Sequence, residues 1–159
     1  MTKYYQVVDP VDRGGYSIST DPAHLDVDAI HRYLSDEAYW SKGVPREVVR
    51  RAIAGSLNFG VYRGEPGQEL AGFARVVSDR ATFAWLCDVF VLPAHRGKGL
   101  GVWLIETAMA HPDLQDLRNF LLATRDAHAL YERFGFRPLA EPARWMAIRK
   151  RPASYSSAT

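Results

Sequence analysis

Val89-Phe-Val-Leu-Pro-Ala-His-Arg-Gly-Lys-Gly-Leu-Gly-Val-Trp-Leu104 is the stretch that decides the fold. An apolar run ends at Pro93, glycines follow at 97, 99 and 101, and an apolar helical pattern begins at once. The reading is a buried strand feeding a tight loop and a helix N-terminus. Glycines let the backbone approach a ligand closely, and the free N–H groups of a first helical turn point at an anion. The ligand expected there carries phosphate. Two better-known phosphate loops do not fit. A P-loop needs Gly, four residues, then Gly-Lys-Ser/Thr, but Gly97-Lys98 is followed by Gly99 and preceded at the required place by Leu92. A dinucleotide fingerprint begun at Gly97 needs a glycine where the chain has Val102.

Working outward, Phe83 to Leu92 is apolar on both faces, the pattern of a central buried strand. Downstream, Trp103, Leu104, Ala108 and Met109 continue a helix, Asn119 to Thr124 reads as a short strand, and Ala127 to Phe134 as a short helix. Gly135 stands where a helix C-terminus favours glycine, and Arg144 to Ile148 reads as a last strand. Residues 83 to 124 thus form a βαβ unit, expected to cross over right-handedly. Upstream, strands are expected over Leu70 to Val77 and, from the alternation of Leu57, Phe59 and Val61, just before it. Val27, Ile30, His31 and Leu34 predict an amphipathic helix behind Asp26; Pro45 opens a second, with Val48, Val49, Ala52 and Ile53 on one face. A short strand over Tyr16 to Ser19 completes the order β-α-α-β-β-β-α-β-α-β, an α/β sandwich with an antiparallel front half.

The chain has 159 residues, 47% of them hydrophobic and 24% charged, which suits one domain and excludes a disordered or fibrous protein. That domain is expected over 1–150, with 151–159 a fraying tail. A net charge of +2 gives no basic face, so no nucleic-acid partner is expected, and Arg149-Lys150-Arg151 reads as a solvated chain end. Phe83 to Leu92 is the longest apolar stretch and contains Asp88; with no apolar segment near the start, no membrane contact is expected and a cytoplasmic location is. Cys87, the single cysteine, excludes an internal disulfide and reads as a small core residue. His24, His31, His95, His111 and His128 show no metal-ligand spacing, and no metal is expected.

The glycine loop does fit the pattern R/Q-x-x-G-x-G/A, as Arg96-Gly97-Lys98-Gly99-Leu100-Gly101. Here the chain resembles the GCN5-related N-acetyltransferase (GNAT) superfamily, whose pyrophosphate loop has this form. Val91-Leu92-Pro93 resembles the V-x-P that precedes it, and Ala127-His-Ala-Leu-Tyr-Glu-Arg-Phe-Gly-Phe136 resembles the family's A-x-x-L-Y-E-x-x-G-F. Two motifs in this order and spacing are specific; together they cover roughly residues 83 to 138. The resemblance implies a mixed central sheet with helices on both faces and parallel strands splayed around an acyl-CoA site. It also implies that Phe90, Val91 and Leu92 pair with the pantetheine amides through backbone groups. Arg96, Gly97, Lys98, Gly99, Leu100, Gly101 and Val102 would surround the pyrophosphate, with His95 beside the phosphates and His128 on the next helix's first turn. Tyr131 would lie by the thioester sulfur as general acid. Asp126 stands where the family often has asparagine; an ionised Asp accepts but does not donate, so it either loses a pantetheine contact or caps its helix.

The function implied is acetyl transfer from acetyl-CoA, as cosubstrate, to an amine by direct attack. An alkyl amine is protonated at neutral pH, so a proton must leave first. Asp88 is the candidate base or, equally, a buried structural carboxylate; Asp79 and Glu37 are weaker candidates, and solvent can also take the proton. Tyr39, Trp40 and Arg46 are expected to line the acceptor site, favouring an apolar or aromatic body. The small chain favours a small-molecule amine over a peptide or protein. A non-catalytic acyl-CoA-binding sensor is the alternative, and a homodimer stays open.

Overall fold

The computed structural model describes residues 8–155. The last four residues of the expected fraying tail lie outside these.

Six strands form one sheet in sequence order: β1 (Val11–Arg13), β2 (Tyr16–Ser19), β3 (Leu57–Arg63), β4 (Glu69–Ser78), β5 (Phe83–Val91) and β6 (Asn119–Leu122). Strands β1 to β5 are antiparallel, and β6 runs parallel to β5 across the intervening helix α3 (Leu100–Ala110). Strand β1 was not expected from sequence. All three of its residues are exposed, so they carry no alternation, and the Gly14-Gly15 turn that creates it needs positive φ at both places.

Side-chain alternation sends one set of residues to each face. Phe59, Val61, Ala74, Val76 and Leu86 pack beneath Leu100, Trp103, Leu104 and Ala108 of α3. Tyr62, Phe73 and Phe90 meet Ile30, Leu34, Val49 and Ile53, carried by α1 (Val27–Arg32), the π-helical turn Tyr33–Glu37 that continues it, and α2 (Arg46–Ala54). Helices therefore cover both faces. Asp26 caps α1, its carboxylate accepting from Ala29 N–H at 3.0 Å, as expected from sequence.

Strand β5 changes face midway. Between the Cys87–Arg75 and Phe90–Phe73 pairs, β5 spends two residues where β4 spends one, and Asp88 takes a positive φ of 51°. This bulge re-aims the strand, so that Ala84 and Leu86 face α3 before it and Val89 and Val91 after it.

The last expected strand does not form. Pro142–Arg144 is a 3-10 turn, and the following Met146 and Ile148 are 97% and 96% exposed. A strand is held by its neighbour's hydrogen bonds, and β6, at the sheet's edge, pairs with β5 alone. Gly135 performs as expected. At φ 95° it ends α4 (His128–Glu132), with Gly135 N–H on the Glu132 carbonyl and Phe136 N–H on the Tyr131 carbonyl.

Candidate active site

Parallel pairing of β5 with β6 ends at Leu86–Leu122, although β5 continues to Val91. Beyond that point the strands separate, and a cleft of about 460 Å³ opens between them. Its floor carries Cys87, Asp88 and Val89 of β5; Thr124, Asp126 and Tyr131 form one wall. The opposite wall comes from the α1–α2 connection and α2, through Tyr39, Trp40, Val48 and Ile53. Tyr39 bridges the walls: its hydroxyl accepts Arg125 N–H at 3.3 Å, and the Arg125 guanidinium lies 3.9 Å from its ring centroid.

Strand alternation decides which backbone groups face the opening. Leu92 N–H bonds the Ala71 carbonyl at 2.8 Å, so Leu92 points toward β4, and Phe90, opposite Phe73, has the same parity. The groups on the open side therefore belong to Val89 and Val91. This corrects the expectation that Phe90 and Leu92 offer their amides to the cleft. The Val91 carbonyl is itself occupied, accepting from Arg96 Nε at 2.9 Å. Arg96 also donates through Nη2 to the Tyr33 hydroxyl at 3.3 Å, and the Tyr33 ring stacks on Phe90 at 4.0 Å. The arginine of the motif thus braces the strand end behind the glycine loop.

The loop itself has the conformation its glycines permit. Gly97 and Gly99 sit at φ 79° and 76°, and a Cβ at either would meet nothing within 4 Å. Open space where a side chain would stand is what a backbone-lined ligand cradle requires. Leu100, Gly101 and Val102 open α3, whose N-cap, Gly99, supplies no side-chain acceptor to the first N–H groups. Lys98 turns to a smaller pocket with Tyr16, Arg63 and His95. His95, in the 3-10 turn Pro93–His95 that follows β5, is buried, with Nδ1 3.0 Å from the Tyr16 hydroxyl.

Asp88 is held on both oxygens. Oδ2 accepts Arg75 Nε at 2.9 Å, and Oδ1 accepts Trp40 Nε1 at 2.8 Å. Arg75 in turn donates to the Ser56 hydroxyl at 2.9 Å. The two charged side chains are only 12% and 18% exposed, so this is a pair at the edge of the core. Asp79 stands elsewhere, accepting from the backbone of Ala81, Thr82 and Phe83 and from the Thr82 hydroxyl in the β4–β5 turn. Those donors, the Thr82 hydroxyl first, hold its carboxyl well below the usual carboxylate range. Glu37 does not line the cleft, nor does Arg46, whose Nε donates to Asp28 at 2.6 Å and ties α2 to α1. The expected place of Arg46 at the acceptor site is thereby corrected: its charge is spent on Asp28, outside the cleft.

Tyr131 is half-buried in the first turns of α4, its ring edge-on to Phe136 at 6.0 Å. Burial, and then the neighbouring Tyr39, raise its phenol above the ordinary value. Burial also pushes the Cys87 thiol up to about 12, which leaves it uncharged and unsuited to nucleophilic attack. His128 lines a smaller groove behind Tyr131, beside Phe120 and Leu139. Asp126 lines the cleft without capping α4; Thr124 Oγ1 accepts the Ala127 N–H at 3.1 Å, and Asp126 lies 3.7 Å from Arg125. Among the cleft residues that the sequence did not assign to the site are Arg75, Arg149 and Tyr155. A lone arginine inside the apolar run Phe73-Ala-Arg-Val-Val77 was the available signal for the first; nothing local marks the other two.

A strand bulged at Asp88, a neighbour that leaves it and a left-handed glycine loop on a helix N-terminus define a cosubstrate-binding transferase site. The family described as the acetyltransferase (GNAT) domain matches residues 55–138. A candidate acetyltransferase of Gibberella zeae is 34% identical over 149 residues, covering 81% of this chain and 83% of that protein. The crystal structure of a candidate GNAT-family acetyltransferase from Xanthomonas campestris pv. campestris superposes with a TM-score of 0.84 at 49% identity, covering 92% of this chain and all of that one. A Clostridium acetobutylicum acetyltransferase solved with acetyl-CoA shares the fold at TM-score 0.60 and 15% identity, covering 84% of this chain and 94% of its own. The chain belongs to the GNAT family and is an N-acetyltransferase. Among the described residues no helix is long and apolar enough to cross a membrane, and no three His, Cys, Asp or Glu side chains are grouped to hold a metal.

Proposed function

We propose that the protein transfers the acetyl group of acetyl-CoA directly to the primary amine of a small molecule. The observation that carries this reading is the separation of β5 from β6 after Leu86–Leu122, with Tyr131 on the wall of the opening. An extended pantetheine arm fits such an opening because the Val89 backbone and the Val91 N–H lie on the strand edge that β6 leaves unpaired, the Val91 carbonyl being held by Arg96. The Clostridium relative's acetyl-CoA supports the same cosubstrate. The pyrophosphate belongs on the loop 97–102, where left-handed glycines and the first N–H groups of α3 face one anion.

In the reaction, the lone pair of the neutral amine forms the C–N bond at the thioester carbonyl. The tetrahedral intermediate loses its extra N–H proton to water in the cleft, and the C–S bond breaks with both electrons on sulfur. Tyr131 donates its proton to that thiolate. Its raised pKa keeps it protonated at neutral pH and able to hydrogen-bond the sulfur as charge builds there. Because a thiol's reference value of roughly 8.5 lies below a phenol's, the transfer is completed by water, which carries the amine's proton and returns one to Tyr131. Asp88 is a structural carboxylate in this scheme, because both its oxygens already accept hydrogen bonds. The scheme needs no acyl-enzyme, and burial holds the one cysteine, Cys87, uncharged. Thiol release from acetyl-CoA across a panel of amines tests the reading. Release with at least one small amine is expected; saturable acetyl-CoA binding without release by any amine or peptide would refute it.

A further inference from the structure

The charges around the cleft do not balance. Arg75, Asp88, Asp126 and Arg149 are the formal charges on its lining. Asp88 is neutralised by Arg75 at 2.9 Å and further bonded by Trp40. Asp126 has Arg125 at 3.7 Å, itself stacked on Tyr39. Arg149 has no ion pair or hydrogen bond with any described residue, so among these the wall holds one cation without a counter-charge and no carboxylate without one.

Resting on the acetyltransferase reading above, we infer that the acceptor is an amino carboxylic acid with an apolar or aromatic body, and that Arg149 receives its carboxylate. A guanidinium presents paired N–H donors that match a carboxylate's two oxygens. The surrounding surface suits the rest of such a molecule. Trp40 and Tyr155 are aromatic, and Val48 and Ile53 are aliphatic. Tyr155 is anchored there by packing on the core that contains Phe73 and Phe90. Acceptors with several ammonium groups, such as polyamines, meet the opposite environment: the cleft's carboxylates are spent on arginines, and an unpaired cation adds repulsion. The segment that carries Arg149 lies outside the residues matched to the family, so this preference is a property of this chain's C-terminal part.

Matched amines that differ only in the carboxylate test the inference in steady-state assays with acetyl-CoA: phenylalanine against phenethylamine, tyrosine against tyramine, with spermidine as the polycation. The wild-type enzyme should favour each carboxylate-bearing member at least tenfold in kcat/KM, with spermidine poorest. Arg149→Gln should bring the ratio within each pair toward one by raising KM for the amino acid, and Arg149→Lys should recover part of it. Arg149 is exposed, so both variants fold. Equal or better use of the decarboxylated amines by the wild type overturns the inference while the acetyltransferase reading stands. So does an Arg149→Gln variant that weakens acetyl-CoA binding by calorimetry and leaves the ratios intact. Bound acetyl-CoA with no thiol released by any amine overturns both.

Discussion

Replacing Asp88 by asparagine separates the two roles open to a carboxylate on this strand. In the structure Asp88 fixes Arg75 and the Trp40 indole, with side chains 12% and 18% exposed across the ion pair. Removing one partner of a fully buried pair costs about 3–5 kcal/mol, chiefly because the other charge is left uncompensated. Here Arg75 keeps its bond to Ser56, and an asparagine oxygen still accepts one hydrogen bond. The expected loss is therefore about 2–3 kcal/mol. For a domain of this size that corresponds to a melting temperature lower by roughly 5–10 °C. Turnover per folded molecule should fall less than tenfold, with its pH profile unchanged in shape, because no proton passes through this group. A general base would behave otherwise, since such groups typically contribute about 10²–10⁴-fold. Calorimetric melting and the pH dependence of kcat/KM, measured on the same preparation, distinguish the two. A variant that keeps the wild-type melting temperature and loses more than a hundredfold in turnover would sink the ion-pair reasoning and restore Asp88 as base.

Tyr131→Phe keeps the ring packed on Phe136 and removes only the proton donor; turnover should drop at least tenfold while acetyl-CoA affinity stays within a few-fold, and near-normal turnover would leave Tyr131 a packing residue. Gly99→Val puts a branched side chain at φ 76° and into the open cradle; strain of about 1–2 kcal/mol plus the lost approach should weaken acetyl-CoA binding at least tenfold by calorimetry, and unchanged affinity in a folded variant would remove the loop from the phosphate site. Asp79 stabilises the β4–β5 turn only while ionised. Its folded pKa is depressed, so its contribution is intact above the unfolded value near 3.9 and fades as pH falls toward the folded one. Asp79→Ala should lower the melting temperature at pH 7 and narrow its gap to wild type below pH 4; a gap independent of pH contradicts this.

The chain's own pattern determined the strand–loop–helix unit, the second motif around Tyr131 and the place of Gly135, because these depend on local chemistry. Apolar continuity makes a buried strand, glycines permit left-handed φ, and a helix start exposes N–H donors wherever it occurs. Family membership followed from the same residues. What lay beyond the sequence depends on which neighbour a residue finds. The bulge at Asp88 gives an aspartate a positive φ, which no local rule requires, and it decides that the backbone groups of Val89 and Val91, and not those of Phe90, face away from β4 toward the opening. From sequence, Arg46 is expected at the acceptor site and Arg149 at a solvated chain end. Tertiary packing gives Arg46 the Asp28 carboxylate and puts Arg149 on the cleft wall, with no ion pair among the described residues. Arg144 to Ile148 carries a strand's composition and is no strand, because hydrogen bonding in a sheet is a property of two segments, and composition describes only one.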